Sequence, residues 1–303
     1  MVVNPAAAGG RVGRRWVALE LHLKARLGPV RFVHTAGPGD ATRIAREAAL
    51  DGADAVLAIG GDGTLGAVAA GLAGTETALG VLPAGTGGDF SRDLPHARSL
   101  LDAAESLPRA GWRLIDVGRV TCRGDDGAPW EGTFLNVAAA GINGLVDRLV
   151  NTSGRWLGGP ASFTLATLRA HRRYRPACVR LRLDGEDLGA HTVSSVVVAN
   201  GRFAGGGMCF APEAKLDDGL LDVVTLPALS LARGVGLMAD LRRGTHLRRE
   251  DVRAWRGKRL EVELEGEAPA WMDVDGEAPG VAPASFEVWP GALRLLWPGA
   301  RAG

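Results

Sequence analysis

The chain has 303 residues, 46% of them hydrophobic and 23% charged, with a formal net charge of +1. That is the composition of an ordinary globular protein, long enough for one large domain or two. The near-neutral balance speaks against wholesale electrostatic capture of nucleic acid. The bases are nearly all Arg, with Lys only at Lys24, Lys215 and Lys258. The three cysteines, Cys122, Cys178 and Cys209, show no CxxC or Cys/His spacing, so neither a disulfide framework nor a zinc site is expected. The first ten residues lack a charged segment followed by an apolar one, and no run of about 18 apolar residues occurs. The expected location is therefore cytoplasmic, with any membrane contact peripheral and at the inner face.

In chain order, Val2-Val3 precede Asn4-Pro5, which leaves a very short first strand or a chain that begins late. Residues 30–33 read as a strand. Asp40 reads as a helix N-cap, followed by an apolar face of Ala41, Ile44, Ala45, Ala48 and Ala49. Residues 53–59 form an apolar run with one charge, 65–72 a small-residue helix, and 78–82 a buried-type strand stopped by Pro83. Strands apolar on both faces, alternating with helices, predict a parallel sheet covered by helices.

The pattern changes near Trp112. Strands are predicted at 113–122, 133–140, 178–183, 192–199, 220–226, 259–264, 270–274 and 285–289, with helices at about 160–173 and 229–243. Several strands alternate, as in Leu260-Glu261-Val262-Glu263-Leu264, which marks antiparallel sheets with one wet face. The expected boundary lies near residue 120.

Three glycine-rich loops follow apolar strands in the first part: Asn4-Pro5-Ala6-Ala7-Ala8-Gly9-Gly10, Gly60-Gly61-Asp62-Gly63-Thr64-Leu65-Gly66, and Pro83-Ala84-Gly85-Thr86-Gly87-Gly88-Asp89-Phe90. Glycines at a strand's carboxyl end let backbone N–H groups converge, and a helix starting there adds its positive end, so phosphate is the natural ligand. No GxxxxGK[ST] is present. Gly61, Gly63 and Gly66 match a dinucleotide fingerprint, but the next strand ends in Leu82-Pro83 without the carboxylate that fingerprint requires.

Gly60-Gly61-Asp62-Gly63-Thr64 resembles the signature loop shared by diacylglycerol kinases, sphingosine kinases, bacterial YegS-like lipid kinases, NAD kinases and phosphofructokinases. Four further segments resemble the lipid-kinase branch: Asn4-Pro5 with Gly9-Gly10, the run from Gly85 through Thr86 and Asp89 to Arg92, the run from Ala211 through Lys215, Asp218 and Leu220 to Asp222, and Asp275-Gly276-Glu277. They span nearly the whole chain in the family's order. One position departs, since Gly88 stands where the family usually has Asn.

The resemblance implies an α/β plus all-β fold: a Rossmann-like, phosphofructokinase-like nucleotide domain over 1–120, an antiparallel β-sandwich over 121–291, and a last strand at about 292–303 returning to the first domain. It implies transfer of the γ-phosphoryl group of Mg²⁺-bound ATP to a lipid hydroxyl, with diacylglycerol first and a sphingoid base, another long-chain alcohol or NAD as alternatives. A non-catalytic nucleotide- or lipid-binding regulator is a further alternative. ATP contacts are implied for Asn4, Gly9, Gly10, Thr35, Gly60, Gly61, Asp62, Gly63, Thr64, Leu65, Gly66, Thr86 and Asp89. Magnesium is implied at Asp62, Asp89 and Asp275. A second, structural magnesium site is implied at Asp218 with the carbonyls of Lys215 and Leu220. Glu277 is the implied general base, organised by Asp275, and Asp62 is the alternative base. Acceptor walls are expected at 136–144 and 200–207. The basic stretches 171–175, Arg242-Arg243 and Arg248-Arg249 are candidates for anionic headgroups. A homodimer is compatible with this reading.

Overall fold

The computed structural model describes residues 1–85, 87–94, 97, 99–152, 169–170, 174–228 and 231–299. The chain divides into two compact units, residues 1–117 with 290–303, and residues 118–289.

The first unit is built on parallel strands β1 (Val2–Val3), β2 (Val33–His34), β3 (Ala55–Gly60) and β4 (Ala78–Pro83), in the spatial order β4-β3-β1-β2. Val56, Leu57, Ala58 and Ile59 of β3 are all buried, as a central strand covered on both faces requires. Helices α1 (Ala7–Arg14), α2 (Trp16–Leu27), α3 (Asp40–Leu50), α4 (Asp62–Leu72) and α5 (Leu100–Ser106) surround this sheet in sequence. Ala41, Ile44 and Ala45 form the buried stripe of α3, as their spacing predicts. Two readings are corrected. Asp40 is the first helical residue, not the N-cap: Gly39 caps α3, and the Asp40 carboxylate instead accepts the Ala36 and Gly37 N–H groups at 2.7 and 3.2 Å. The strand expected at 30–33 is confined to Val33–His34, where it pairs with β1.

The second unit contains the second half of β5 (Gly111–Gly124), then β6 (Pro129–Phe134), β7 (Val137–Gly141), helix α6 (Ile142–Thr152), β8 (Ala177–Leu183), β9 (Glu186–Ala199), β10 (Phe203–Ala204), β11 (Met208–Cys209) and β12 (Leu221–Pro227). Helix α7 (Leu231–Arg243), β13 (Arg253–Gly257), β14 (Arg259–Leu264), β15 (Trp271–Val274) and the first part of β16 (Gly280–Trp297) complete it. The strand expected at 133–140 is two strands, interrupted at Leu135 and Asn136, and the predicted 160–173 helix lies, except for residues 169 and 170, outside the described residues.

The pairings β9-β7-β15-β16-β14-β8-β9 close into a ring. This is a sandwich whose edges are joined, and its antiparallel partners leave no open edge around that ring. Side chains of one parity fill the interior, including Val179, Leu181, Leu260, Val262, Met272 and Phe286. The other parity of β7 and β9 packs outward against α7 through Val137, Ala139, Val197, Leu237 and Leu241. The final residues of β16 belong to the first unit, where Leu295 pairs in parallel with Leu79 of β4.

Candidate functional site

In the first unit the chain order reverses between β1 and β3, a topological switch point flanked by the loops after both strands. Register aligns Val3 with Ile59, so Asn4 emerges beside Gly60. The Asn4 N–H donates to Ile59 O at 3.0 Å, and Asn4 Nδ2 donates to Thr64 Oγ1 at 2.9 Å. Asn4 thereby ties the first glycine loop to the second. Ala8, Gly9 and Gly10 take successive left-handed conformations, φ 54°, 66° and 80°, before the helix resumes.

Gly61 caps α4, which begins at Asp62 with no side chain capping it. Its first-turn N–H groups therefore offer an anion site. Thr64 is 8% exposed, Leu65 is buried, and Gly66 lies a turn into the helix. The third loop packs on the second through bare backbone. The Ala84 N–H donates to Gly60 O at 2.8 Å, and a Cβ on Gly85 would lie 2.5 Å from Gly61 Cα, so only glycine permits this approach.

Asp62 joins the same pair of loops. Its Oδ1 accepts the Phe90 N–H at 3.3 Å, and its Oδ2 lies against Gly87, where a Cβ would approach it to 2.8 Å. Asp89 is 6% exposed, with Arg92 Nε 3.5 Å from its Oδ1. Thr86 lies outside the described residues. Gly88 has φ 61°, the left-handed region that Gly and Asn accept best. The departure from the family's Asn therefore keeps the backbone and removes only the amide. Thr35 follows β2, its N–H donating to Val3 O at 2.9 Å. A cleft of about 510 Å³ opens beside the first and third loops, lined by Ala8, Arg11, Val12, Leu19, Gly85 and Leu101 among others.

In the second unit, Val274 and Glu277 form an antiparallel bridge around a two-residue turn, Asp275 at φ 48° and Gly276 at φ 88°. Two successive positive φ values are those of the tightest hairpin turn, for which Asp-Gly is a favoured pair. The Asp275 carboxylate receives three backbone N–H groups, from Leu135 at 2.7 Å, Asn136 at 3.1 Å and Val137 at 3.0 Å. The Asn200 and Gly201 N–H groups both donate to Asn136 O at 2.8 Å, so the stretch 135–137 is held from two sides. Burial pushes the Asp275 carboxyl up to about 7; the three N–H donors oppose that rise and the nearby Asp273 adds to it. Glu277 follows this anchored turn and is exposed. Asp275 and Glu277 thus stand together, the first as a strut and the second free to meet a ligand.

Asp147 of α6 and Asp273 of β15, two acids that sequence reading passed over, lie beside this turn. Burial pushes Asp147 up to about 6, and burial with the charge of Asp147 raises Asp273 well above the carboxylate range. Their only sequence signal is an acid within an otherwise apolar pattern, which Asp116 of β5 shares; Asp116 is 2% exposed and accepts the Gly291 N–H at 2.8 Å.

The hard oxygens of Asp62 and Asp89 suit magnesium, which keeps several waters and needs few protein ligands. Among the described residues no group of three or more His, Cys, Asp or Glu could hold a metal ion. The 215–220 loop fits a second ion less well. Asp218 Oδ1 accepts the Leu220 N–H at 3.2 Å, and its Oδ2 is bonded to the Arg256 guanidinium, which also pairs with Asp222 at 3.3 Å. A cation there competes with Arg256. Lys215 is exposed and has no part in that pairing. Of the basic stretches, Arg249 is committed to Asp240 and Asp251, Arg242, Arg243 and Arg248 are exposed, and 171–173 lie outside the described residues.

Comparison with known proteins decides among phosphate-binding folds. The family described as diacylglycerol kinase catalytic domain matches residues 1–120, and the YegS C-terminal NAD kinase beta sandwich-like domain matches residues 136–297. A diacylglycerol kinase of Mycobacterium tuberculosis (strain ATCC 25618 / H37Rv) is 34% identical over 261 residues, 86% of this chain and 82% of that protein. The chain belongs to the diacylglycerol kinase and YegS-like lipid kinase family. The diacylglycerol kinase of Bacillus subtilis (strain 168) is 29% identical to this lipid-kinase family member, across 94% of this chain and 91% of that one. The crystal structure of a diacylglycerol kinase from Bacillus anthracis str. Sterne shares the fold at 22% identity, with a TM-score of 0.70 over 98% of this chain and 95% of that one. The two-domain architecture, α/β followed by β-sandwich, is therefore that of the family. Among the described residues no helix is long and apolar enough to cross a membrane.

Proposed function

We propose that the protein transfers the γ-phosphoryl group of ATP to a lipid hydroxyl, with diacylglycerol as the acceptor and phosphatidic acid as the product. The observation that carries the reading is the convergence of three glycine loops at one sheet edge, joined by the Asn4–Thr64 hydrogen bond and the Gly61–Gly85 backbone contact. Such loops supply phosphate positioning, which is most of what phosphoryl transfer asks of a protein. In this reading the N–H groups at the start of α4 and the backbone at Gly85, Gly87 and Gly88 cradle the phosphates. Asn4, Gly9, Gly10 and Thr35 line the same carboxyl edge of the sheet. Asp62 and Asp89 would hold Mg²⁺, which would supply neutralisation of phosphate charge there.

Glu277 takes the proton from the acceptor hydroxyl. Its exposed carboxylate, on a turn anchored by Asp275, supports that role, because a general base must reach its substrate from a rigid support. The exposed Arg242, Arg243 and Arg248 are proposed to meet anionic headgroups.

Labelled γ-phosphate ATP, Mg²⁺ and a panel of diacylglycerol, sphingosine, long-chain alcohols and NAD test the reading. Label is expected in phosphatidic acid. Label in NAD alone would move the chain to another branch, and ATP binding without transfer to any acceptor would leave a non-catalytic binder. Glu277→Gln is expected to lower kcat by roughly 10²-fold or more while ATP binding persists; an unchanged rate would transfer the base role to Asp62.

A further inference from the structure

The turn that presents Glu277 has two anchors, and the second is independent of Asp275. The Gly276 N–H donates to Asp273 Oδ1 at 2.9 Å. Asp273 in turn faces Asp147, whose charge helps raise it, where α6 lies on β15. The seat is close: a Cβ on Gly144 would lie 2.3 Å from Met272 O, so α6 rests directly on the strand backbone. One helical turn on, Arg148 stacks on Trp271 at 4.4 Å and pairs with Asp125, which fixes the helix rotation. Two carboxyl groups that face each other are accommodated far better when one of them carries a proton. Asp147 Oδ2 lies out of water without a hydrogen-bond partner, which an uncharged carboxyl tolerates far better than a carboxylate.

We propose that Asp147 and Asp273 are positioning residues: Asp147 holds Asp273, Asp273 holds the Gly276 amide, and together they fix the direction in which Glu277 leaves the turn. The role rests on Glu277 being the base, but the placement of the turn can be measured without catalysis. Neither acid touches a reacting atom. An unpaired Gly276 N–H would let the two-residue turn relax, and a displacement of about 1 Å at a catalytic group is enough to cost on the order of 10²-fold in rate.

The test compares Asp273→Ala with Asp273→Asn in the full-length chain. Asn keeps the oxygen that accepts from Gly276 and offers Asp147 an N–H in place of the carboxyl proton. Hydrogen exchange of residues 274–277 reads the turn directly. Asp273→Ala is expected to speed exchange there roughly tenfold or more, and Asp273→Asn to leave it protected. A turn that stays protected in Asp273→Ala overturns the inference whether or not the protein is a kinase.

Kinetics reads the consequence. Asp273→Ala is expected to lower kcat by about 10- to 100-fold with KM for ATP within about twofold, and Asp273→Asn to recover most of it. In a Glu277→Gln background, Asp273→Ala should add little further loss, because it acts through the residue already removed. Full additivity, or an Asn variant as impaired as Ala, would sink the positioning role. An unaltered rate in Glu277→Gln itself would sink the choice of base and leave the exchange result standing.

Discussion

Gly88 shows how a single position can depart from a family pattern without disturbing the backbone. Its φ of 61° restricts it to residues that tolerate a left-handed conformation, and the nearest atom to a built Cβ is Ser91 Cβ at 4.0 Å. Gly88→Asn is therefore expected to change stability by less than about 1 kcal/mol, while Gly88→Val should lose about 1–2 kcal/mol or more. Thermal unfolding distinguishes the two, and equal losses would show that space, not backbone conformation, limits the position. The loop residues were legible because glycines after apolar runs have few other uses. Asp147 and Asp273 were not, because each gains its meaning from a partner 126 positions away. Asp275 was legible as a motif, but its three N–H donors from 135–137 depend on a strand break that alternation alone does not reveal.

At the scale of elements, the 215–220 loop is held by a guanidinium in the place where a metal was expected. Arg256 bonds Asp218 and pairs with Asp222, whose carboxyl is raised by burial despite the nearby positive charge. Removing one partner of such a group leaves carboxylates without a counter-charge. Arg256→Gln is expected to lower the thermal midpoint in metal-free buffer. Millimolar Mg²⁺ is expected to restore more of it in the variant than it adds to the wild type, since ligand bound only to the folded state at about 100 times its Kd contributes about 2.7 kcal/mol. Equal magnesium shifts in both proteins would show that the loop takes no ion. Elements were read unevenly for physical reasons. Helix α2 escaped notice because Val17 and Leu21 are exposed, at 75% and 66%, which blurs the apolar stripe. Strand β16 is continuous over Gly280–Trp297 although Pro283 and Pro290 break it into pieces on paper.

For the whole molecule, the half-buried acids Asp147 and Asp275 give stability a dependence on pH. Asp147 and Asp275 titrate near 6 and 7 in the folded chain, against about 3.9 for Asp when unfolded. The folded state thus binds more protons than the unfolded one between about pH 4 and 7. The stability these groups provide is complete below pH 4 and is lost as pH rises through 6 and 7. Asp147→Asn, neutral throughout, should gain stability relative to the wild type as pH rises from 4 to 6. Thermal midpoints across that range check it; a constant difference would mean that Asp147 titrates alike in the folded and unfolded chain.

The first unit is made from two distant stretches of chain, 1–117 and 290–303, and Leu293 and Leu295 of the second stretch are fully buried. This bears on the order in which the units can close on a ribosome. A nascent chain that has emerged only as far as Trp289 holds every residue of the second unit but lacks the stretch of β16 that pairs with the edge of β4 away from β3. The later unit can then close first, reversing the usual order in which amino-terminal domains lead. Stalled chains ending at residue 289 are expected to show a protease-resistant second unit and a digestible first one; equal resistance of both would show that β4, paired with β3, needs no second partner to hold the glycine loops.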